Sequence, residues 1–238
     1  MKIESFSRRM IRYAVNNSLV RLDLRLNKYL INPNRDYPEV WYRAIGEVPG
    51  GNVIDIGSGR RPFPPANTLV EKYLEPSIHS NWKYPIINGK KMVEADIEDL
   101  PFEDKKFDFV FCSHVLEHVE DPLKACLELM RVGKRGYIET PRIGTDSLFS
   151  WGTDAHKWLV HSMNNMLCFF EINDLLREGI QSTAWRDILS SFWYHPLQKA
   201  YYRHSDAFNV MFNWSERFDI FVFREDKVPE SFVGGKIN

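Results

Sequence analysis

Two short stretches carry imidazoles beside carboxylates. Ser113-His114-Val115-Leu116-Glu117-His118 is one, and Trp151-Gly152-Thr153-Asp154-Ala155-His156-Lys157-Trp158 is the other. An imidazole titrates closest to neutrality, so it is the natural group to take a proton from a hydroxyl. Among the seven histidines, His114 and His156 are the candidate catalytic bases, and His118 reads as a structural hydrogen-bonding residue. His114-x-x-Glu117-His118 also has metal-ligand spacing. A site there would need a further ligand such as His156 in reach, and no metal is assigned.

A second constellation lies upstream. Asn52-Val53-Ile54-Asp55-Ile56 is a β-branched run that stops at Gly57-Ser58-Gly59. A buried strand followed at once by glycines lets the backbone turn at positive φ and lets a ligand approach the main chain closely. Asp55 falls near the carboxyl end of that strand, where open α/β sheets bind ligands. The loop continues as Arg60-Arg61-Pro62-Phe63-Pro64-Pro65, so the third glycine of the dinucleotide fingerprint is missing and the prolines forbid a regular helix. Without a helix N-terminus to cradle a pyrophosphate, a nicotinamide- or flavin-dependent oxidoreductase is disfavoured. A cofactor with a ribose and an amino-acid tail, such as S-adenosyl-L-methionine, suits the loop better. Asn67-Thr68-Leu69-Val70-Glu71 reads as the next strand, and Glu71 at its end is placed to hold a ribose diol, with Glu75 as the alternative. Asp96, closing the strand from Met92, can accept from an exocyclic amine while the neighbouring backbone frames a base edge.

These groups need a scaffold that gathers strand ends. Phe107-Asp108-Phe109-Val110-Phe111-Cys112 reads as a fourth, central strand, Leu123 to Arg131 as a helix opened by Asp121-Pro122 and ended by Gly133, and Gly136 to Pro141 as a fifth strand. The alternation predicts an α/β fold on a parallel sheet. Residues 32–38 read as a turn-rich linker, and Glu39 to Glu47 as a short helix. Before them, Ile3, Phe6, Met10, Tyr13 and Ala14 recur at helical spacing among basic residues. Residues 1–38 are therefore expected to be a basic helical N-terminal extension. Its competing roles are a cap on the main domain, contact with an anionic membrane surface or an anionic substrate, and contact with a partner protein, the latter two through residues 1–30. The main domain is expected over residues 39–230, with an acceptor-side insertion at about 142–205.

Composition narrows the classes. A net charge of −1 gives no reason to expect nucleic-acid binding. Three cysteines without metal-type spacing argue against a disulfide framework and for a reducing, cytoplasmic setting. No apolar run is long enough to span a bilayer. The aromatic stretch from Met163 to Tyr202 is expected to be core, lid or dimer surface, and Ser231 to Asn238 a frayed tail.

Taken in order, V-I-D-I-G-S-G, A-D-I-E-D-L-P-F-E-D-K-K-F-D-F-V and S-H-V-L-E-H-V-E-D-P resemble the class I S-adenosylmethionine-dependent methyltransferases of the methyltransferase 11 type. The resemblance covers Asn52 to Pro141. It implies a Rossmann-like, doubly wound seven-stranded sheet, mostly parallel with an antiparallel last strand, in which Phe208 to Trp214 and Phe218 to Arg224 would be the final pair. It implies that Asp55, Gly57, Ser58 and Gly59 line the methionine end of the cofactor, that Glu71 holds the ribose, and that Asp96 with the backbone of Ile97 reads the adenine. Ser113 and His114 would border the sulfonium and the acceptor pocket. The run R-V-G-K-R-G-Y-I-E-T-P is similar to a subgroup associated with glycan and small-metabolite modification.

The expected function is S-adenosylmethionine-dependent O-methylation of a small-molecule hydroxyl, such as a sugar, a nucleotide-sugar or a glycan precursor. The fourth strand does not lead into an Asn-Pro-Pro-aromatic turn, which favours oxygen over nitrogen as acceptor. The alternative is a non-catalytic binding or scaffold protein on the same fold, supported by the proline-filled loop and the basic N-terminus.

Overall fold

A computed structural model describes residues 33–59, 61–74, 88–143, 145, 155–174 and 204–237. The expected extension over 1–30, Arg60, Glu75, the segment Trp151 to Asp154 and the aromatic stretch from residue 175 to 203 lie outside the described residues.

The main sheet is built on β1 (Val53–Ile56), whose four residues are all buried, as a strand covered on both faces must be. It pairs in parallel with β2 (Thr68–Glu71) on one side and β4 (Phe109–Ser113) on the other. Beyond them lie β3 (Lys91–Glu94), β5 (Arg135–Pro141) and β8 (Asn209–Ser215), giving the order β3-β2-β1-β4-β5-β8 with only β8 antiparallel. The strand order reverses between β1 and β4, so the loops after these two strands face one crevice.

Helix α1 (Pro33–Ile45) begins within the expected linker, because proline is well placed in a first helical turn that needs no N–H. Helix α2 (Pro122–Val132) crosses from β4 to β5, capped by Asp121, whose carboxylate accepts from the Lys124 N–H. A short helix, α3 (Ser205–Phe208), leads into β8.

Among the described residues of the crossover from β1 to β2 there is no helix, as the prolines require. The loop is nonetheless a packed element. Phe63 is fully buried and stacks on Phe111 with ring centroids 4.1 Å apart, edge-on to Trp41. The Lys90 ammonium caps the exposed chain end of this loop, donating to the carbonyls of Phe63, Pro64 and Ala66. One cation thus satisfies backbone acceptors that a helix would have paired.

A second sheet departs from the expected seven-stranded one. It contains β6 (Trp158–Met163), β7 (Met166–Glu171), β9 (Asp219–Phe223), β10 (Glu230–Val233) and β11 (Lys236–Ile237) in the order β11-β10-β9-β7-β6. Phe218 to Arg224 therefore does not pair with β8 as the resemblance implied. Phe218 is buried against Phe212 and Trp214, its N–H points at the Met130 sulfur of α2, and the chain is turned out of the main sheet. β9 then pairs in parallel with β7. The expected frayed tail is corrected as well: Gly234 and Gly235, both at positive φ, close a hairpin between β10 and β11. Both sheets share one apolar core, in which Leu129 and Met130 of α2 and Phe212 of β8 meet Leu167, Phe169 and Ile220.

Candidate active site

The glycine loop after β1 is held by a carboxylate on β2. Glu71, buried at the end of that strand, accepts from the Ser58 hydroxyl at 2.8 Å and from the Gly59 N–H at 2.5 Å, both on Oε1. Glu71 Oε2 makes no further hydrogen bond among the described residues. Gly57 and Gly59 both have left-handed backbones, at φ 69° and 55°. A side chain at Gly57 would also be stopped by Val115, whose Cγ2 stands 2.3 Å from where the Cβ would be. The glycine loop and the turn after β4 therefore touch.

Asp55 lies beneath this loop. It is buried, accepts from the Phe63 N–H at 2.7 Å, and anchors the proline segment. Burial pushes its pKa up to about 7; the Phe63 N–H opposes this, Glu71 adds to it, and Lys90 opposes it. Asp96 sits two residues past the end of β3, further out than the sequence suggested. Its carboxylate pairs with the Lys72 ammonium at 2.7 Å and accepts from the Glu98 N–H. Partial burial works to raise its pKa, but the Lys72 and Glu98 bonds prevail and hold it below the usual carboxylate range. Ile97, next to it, is buried.

Ser113 ends β4, and His114 follows at φ 56°, a left-handed conformation that a non-glycine residue adopts only where its surroundings enforce it. Both nitrogens of the His114 ring face carboxylates. Nε2 is 3.2 Å from Glu139 Oε1, and Nδ1 is 3.3 Å from Glu117 Oε1, an ion-pair distance without hydrogen-bond alignment. Burial would lower the histidine's pKa, but the two carboxylates outweigh it and raise it to about 10. Both ring nitrogens of His114 are thus turned toward carboxylates of the protein itself.

Glu139 is the residue that sequence reasoning missed. It is buried in β5 and accepts from the Tyr137 hydroxyl at 2.5 Å and from the Asn209 amide at 3.2 Å as well as facing His114. A glutamate inside the apolar run Gly136-Tyr137-Ile138-Glu139-Thr140 was the available signal.

His156 lies on the far side of Glu117. It is buried, and its ring meets that of His118 edge-on with centroids 4.8 Å apart. The Glu117 carbonyl accepts from both the Lys157 and Trp158 N–H groups, and the Val119 carbonyl accepts from the Trp158 indole at 2.8 Å. These bonds zip the start of β6 to the turn after β4 and bring His156 beside Glu117 and His118. His161, further along β6, is exposed.

Residues 73–138 match the family model described as a methyltransferase domain. An uncharacterized protein of Methanocaldococcus jannaschii is 37% identical over 107 residues, covering 42% of this chain and 51% of that protein. A demethylmenaquinone methyltransferase of Renibacterium salmoninarum is 31% identical over 103 residues, covering 39% of this chain and 41% of that enzyme. A tRNA U34 carboxymethyltransferase of Campylobacter curvus is 34% identical over 89 residues, covering 34% of this chain and 30% of that enzyme. The chain thus spans between 30% and 51% of the length of these relatives. Among solved structures, a SAM-dependent methyltransferase of Aquifex aeolicus is similar, with a TM-score of 0.36 at 18% identity over 50% of this chain and 73% of that one. Over residues 73–138 the chain is thus similar to methyltransferase domains. No helix among the described residues is long and apolar enough to cross a membrane.

Proposed function

We propose that the protein methylates an oxygen of a small hydroxylated molecule, of the sugar or glycan-precursor class, using S-adenosyl-L-methionine. The observation that carries the reading is the Glu71 carboxylate tying Ser58 and Gly59 into a glycine loop at the carboxyl ends of β1 and β2. The residues fit the cofactor: two left-handed glycines open the main chain, Glu71 keeps a second oxygen for a ribose diol, and Asp96 with Ile97 closes the β3 end. Bound there, S-adenosylmethionine supplies an electrophilic methyl group on a sulfonium, so the chain need only bind, orient and manage a proton.

The contact between Gly57 and Val115 sets the cofactor loop against the turn that carries His114. His114, held between Glu117 and Glu139, orients that turn. Loss of the acceptor proton falls to the neighbouring group of Glu117, His118 and His156. The non-catalytic alternative drew support from the proline loop. That loop is packed through Phe63 and tied to Asp55, and the glycines above it keep open backbones, which supports the catalytic reading.

Calorimetric titration with S-adenosylhomocysteine tests the site. Saturable binding by the wild type, lost in Glu71→Ala and Asp96→Ala, is expected. Absence of binding by the wild type would move the weight to the scaffold reading. Transfer of labelled methyl groups to a panel of sugars and nucleotide-sugars then tests the acceptor class.

A further inference from the structure

We propose that Glu117, His118 and His156 form a binding site for one divalent transition-metal ion. One ligand atom from each lies within 4.8 Å of the others. In a tetrahedral site with bonds of about 2.0–2.1 Å, ligand atoms sit roughly 3.4 Å apart, so closing the site takes small side-chain rotations. The His118 side chain, 41% exposed, has room to make them.

Glu117 supplies the independent observation. Its side chain is 2% exposed, and among the described residues neither carboxylate oxygen has an aligned hydrogen-bond partner. His114 Nδ1 approaches Oε1 alone, leaving Oε2 bare. A buried carboxylate is costly unless cations or donors join it, and His114 reaches only one of its two oxygens.

The second imidazole is already oriented. His118 Nδ1 is 3.1 Å from the Ala155 carbonyl, an acceptor-only group, so that nitrogen carries the proton. Nε2 then presents its lone pair, and Nε2 is the nitrogen 4.0 Å from Glu117 Oε1. Histidines that bind metals have their other nitrogen fixed in this way. The peptide after His156 is pinned to the Glu117 carbonyl, so the backbone sets the spacing of the three groups.

Two imidazoles and one carboxylate are borderline donors that suit Zn²⁺, Mn²⁺, Fe²⁺ or Co²⁺ better than Ca²⁺. Three protein ligands leave a coordination position for an outside oxygen. Only the use of that position rests on the methyl-transfer reading: a metal there would bind the acceptor hydroxyl and ease loss of its proton.

The full-length protein, stripped with a chelator, is titrated with ZnCl₂ by calorimetry and with CoCl₂ by visible absorption. One ion per chain is expected. His118→Asn and His156→Asn should each weaken binding by at least the roughly 10–100-fold that loss of an outer-shell partner brings. The cobalt bands should change with them. His118→Asn alters a half-exposed side chain, so it keeps the test valid if His156→Asn misfolds, as thermal melting will show. No saturable binding by the wild type overturns the proposal, and so does binding that is undiminished in His118→Asn. Zinc binding of the expected kind without any methyl transfer upholds the site and sinks the catalytic reading.

Discussion

The Phe63 N–H donates to the Asp55 carboxylate at 2.7 Å, so the proline segment is fastened to the acidic residue of the strand it follows. Burial pushes that carboxyl's pKa from the ordinary 3.8 to about 7. The sign follows from proton binding. Between pH 4 and 7, roughly, the folded protein holds a proton that the unfolded chain has released, so stability falls as pH rises through that window. The shift corresponds to a penalty on the order of 4 kcal/mol at alkaline pH. Asp55→Asn keeps an acceptor for Phe63 and removes the charge. In urea unfolding without cofactor, the variant should gain on the wild type as pH goes from 4 to 8, and a pH-independent difference would refute the assignment. The same substitution should weaken cofactor binding.

Gly57→Ala meets two obstacles. The left-handed backbone costs a side chain about 1–2 kcal/mol, and the new Cβ would lie 2.3 Å from Val115 Cγ2. The variant should melt several degrees lower and bind S-adenosylhomocysteine at least tenfold more weakly, by about 1.4 kcal/mol or more. Adding Val115→Ala removes the collision but not the backbone strain. The double variant should therefore recover part of the melting temperature, and full recovery would show that backbone strain contributes nothing.

The parallel strands, the helix after β4 and the glycine loop were legible because each is written locally. Val53-Ile54-Asp55-Ile56 before glycines, and Asp121-Pro122 before an apolar helix, carry their own start and stop signals. The second sheet was not legible, since its strands join residues far apart: β7 and β9 pair Met166 with Asp219, which no local pattern announces. The hairpin at Gly234-Gly235 does have a local signal, two glycines between short β-prone runs. Site residues divide in the same way. The placement of Glu71 follows from its strand end, whereas the placement of His156 depends on Lys157 and Trp158 docking on the Glu117 carbonyl, a contact set by tertiary structure.

Glu71 should be separable from Ser58. Glu71→Ala removes the acceptor that orders both Ser58 and Gly59, and on the proposed reading it also takes away an oxygen offered to the ribose. Ser58→Ala removes one hydrogen bond, worth about 0.5–1.5 kcal/mol. Affinity for S-adenosylhomocysteine should accordingly fall at least tenfold further in Glu71→Ala than in Ser58→Ala. Equal effects would mean that Glu71 only braces the loop. Calorimetric titration of the two variants side by side decides this.

Glu139 and His114 should be coupled in stability. Glu139 is buried and gathers Tyr137, Asn209 and His114 on one carboxylate. In Glu139→Gln, an amide must face donors on both sides, and the His114 charge loses one of its two partners. Breaking a buried pair from one side typically costs about 3–5 kcal/mol. His114→Asn alone should cost less, since its ring is partly exposed, and it leaves Glu139 with Tyr137 and Asn209. If the pair acts as described, the double variant should be less destabilised than the sum of the singles by at least about 1 kcal/mol. Urea unfolding of the four proteins measures that term directly. Strict additivity would mean that His114 draws its charge and its unusual backbone from Glu117 alone, and would shift the organising role in this site from β5 to the turn after β4.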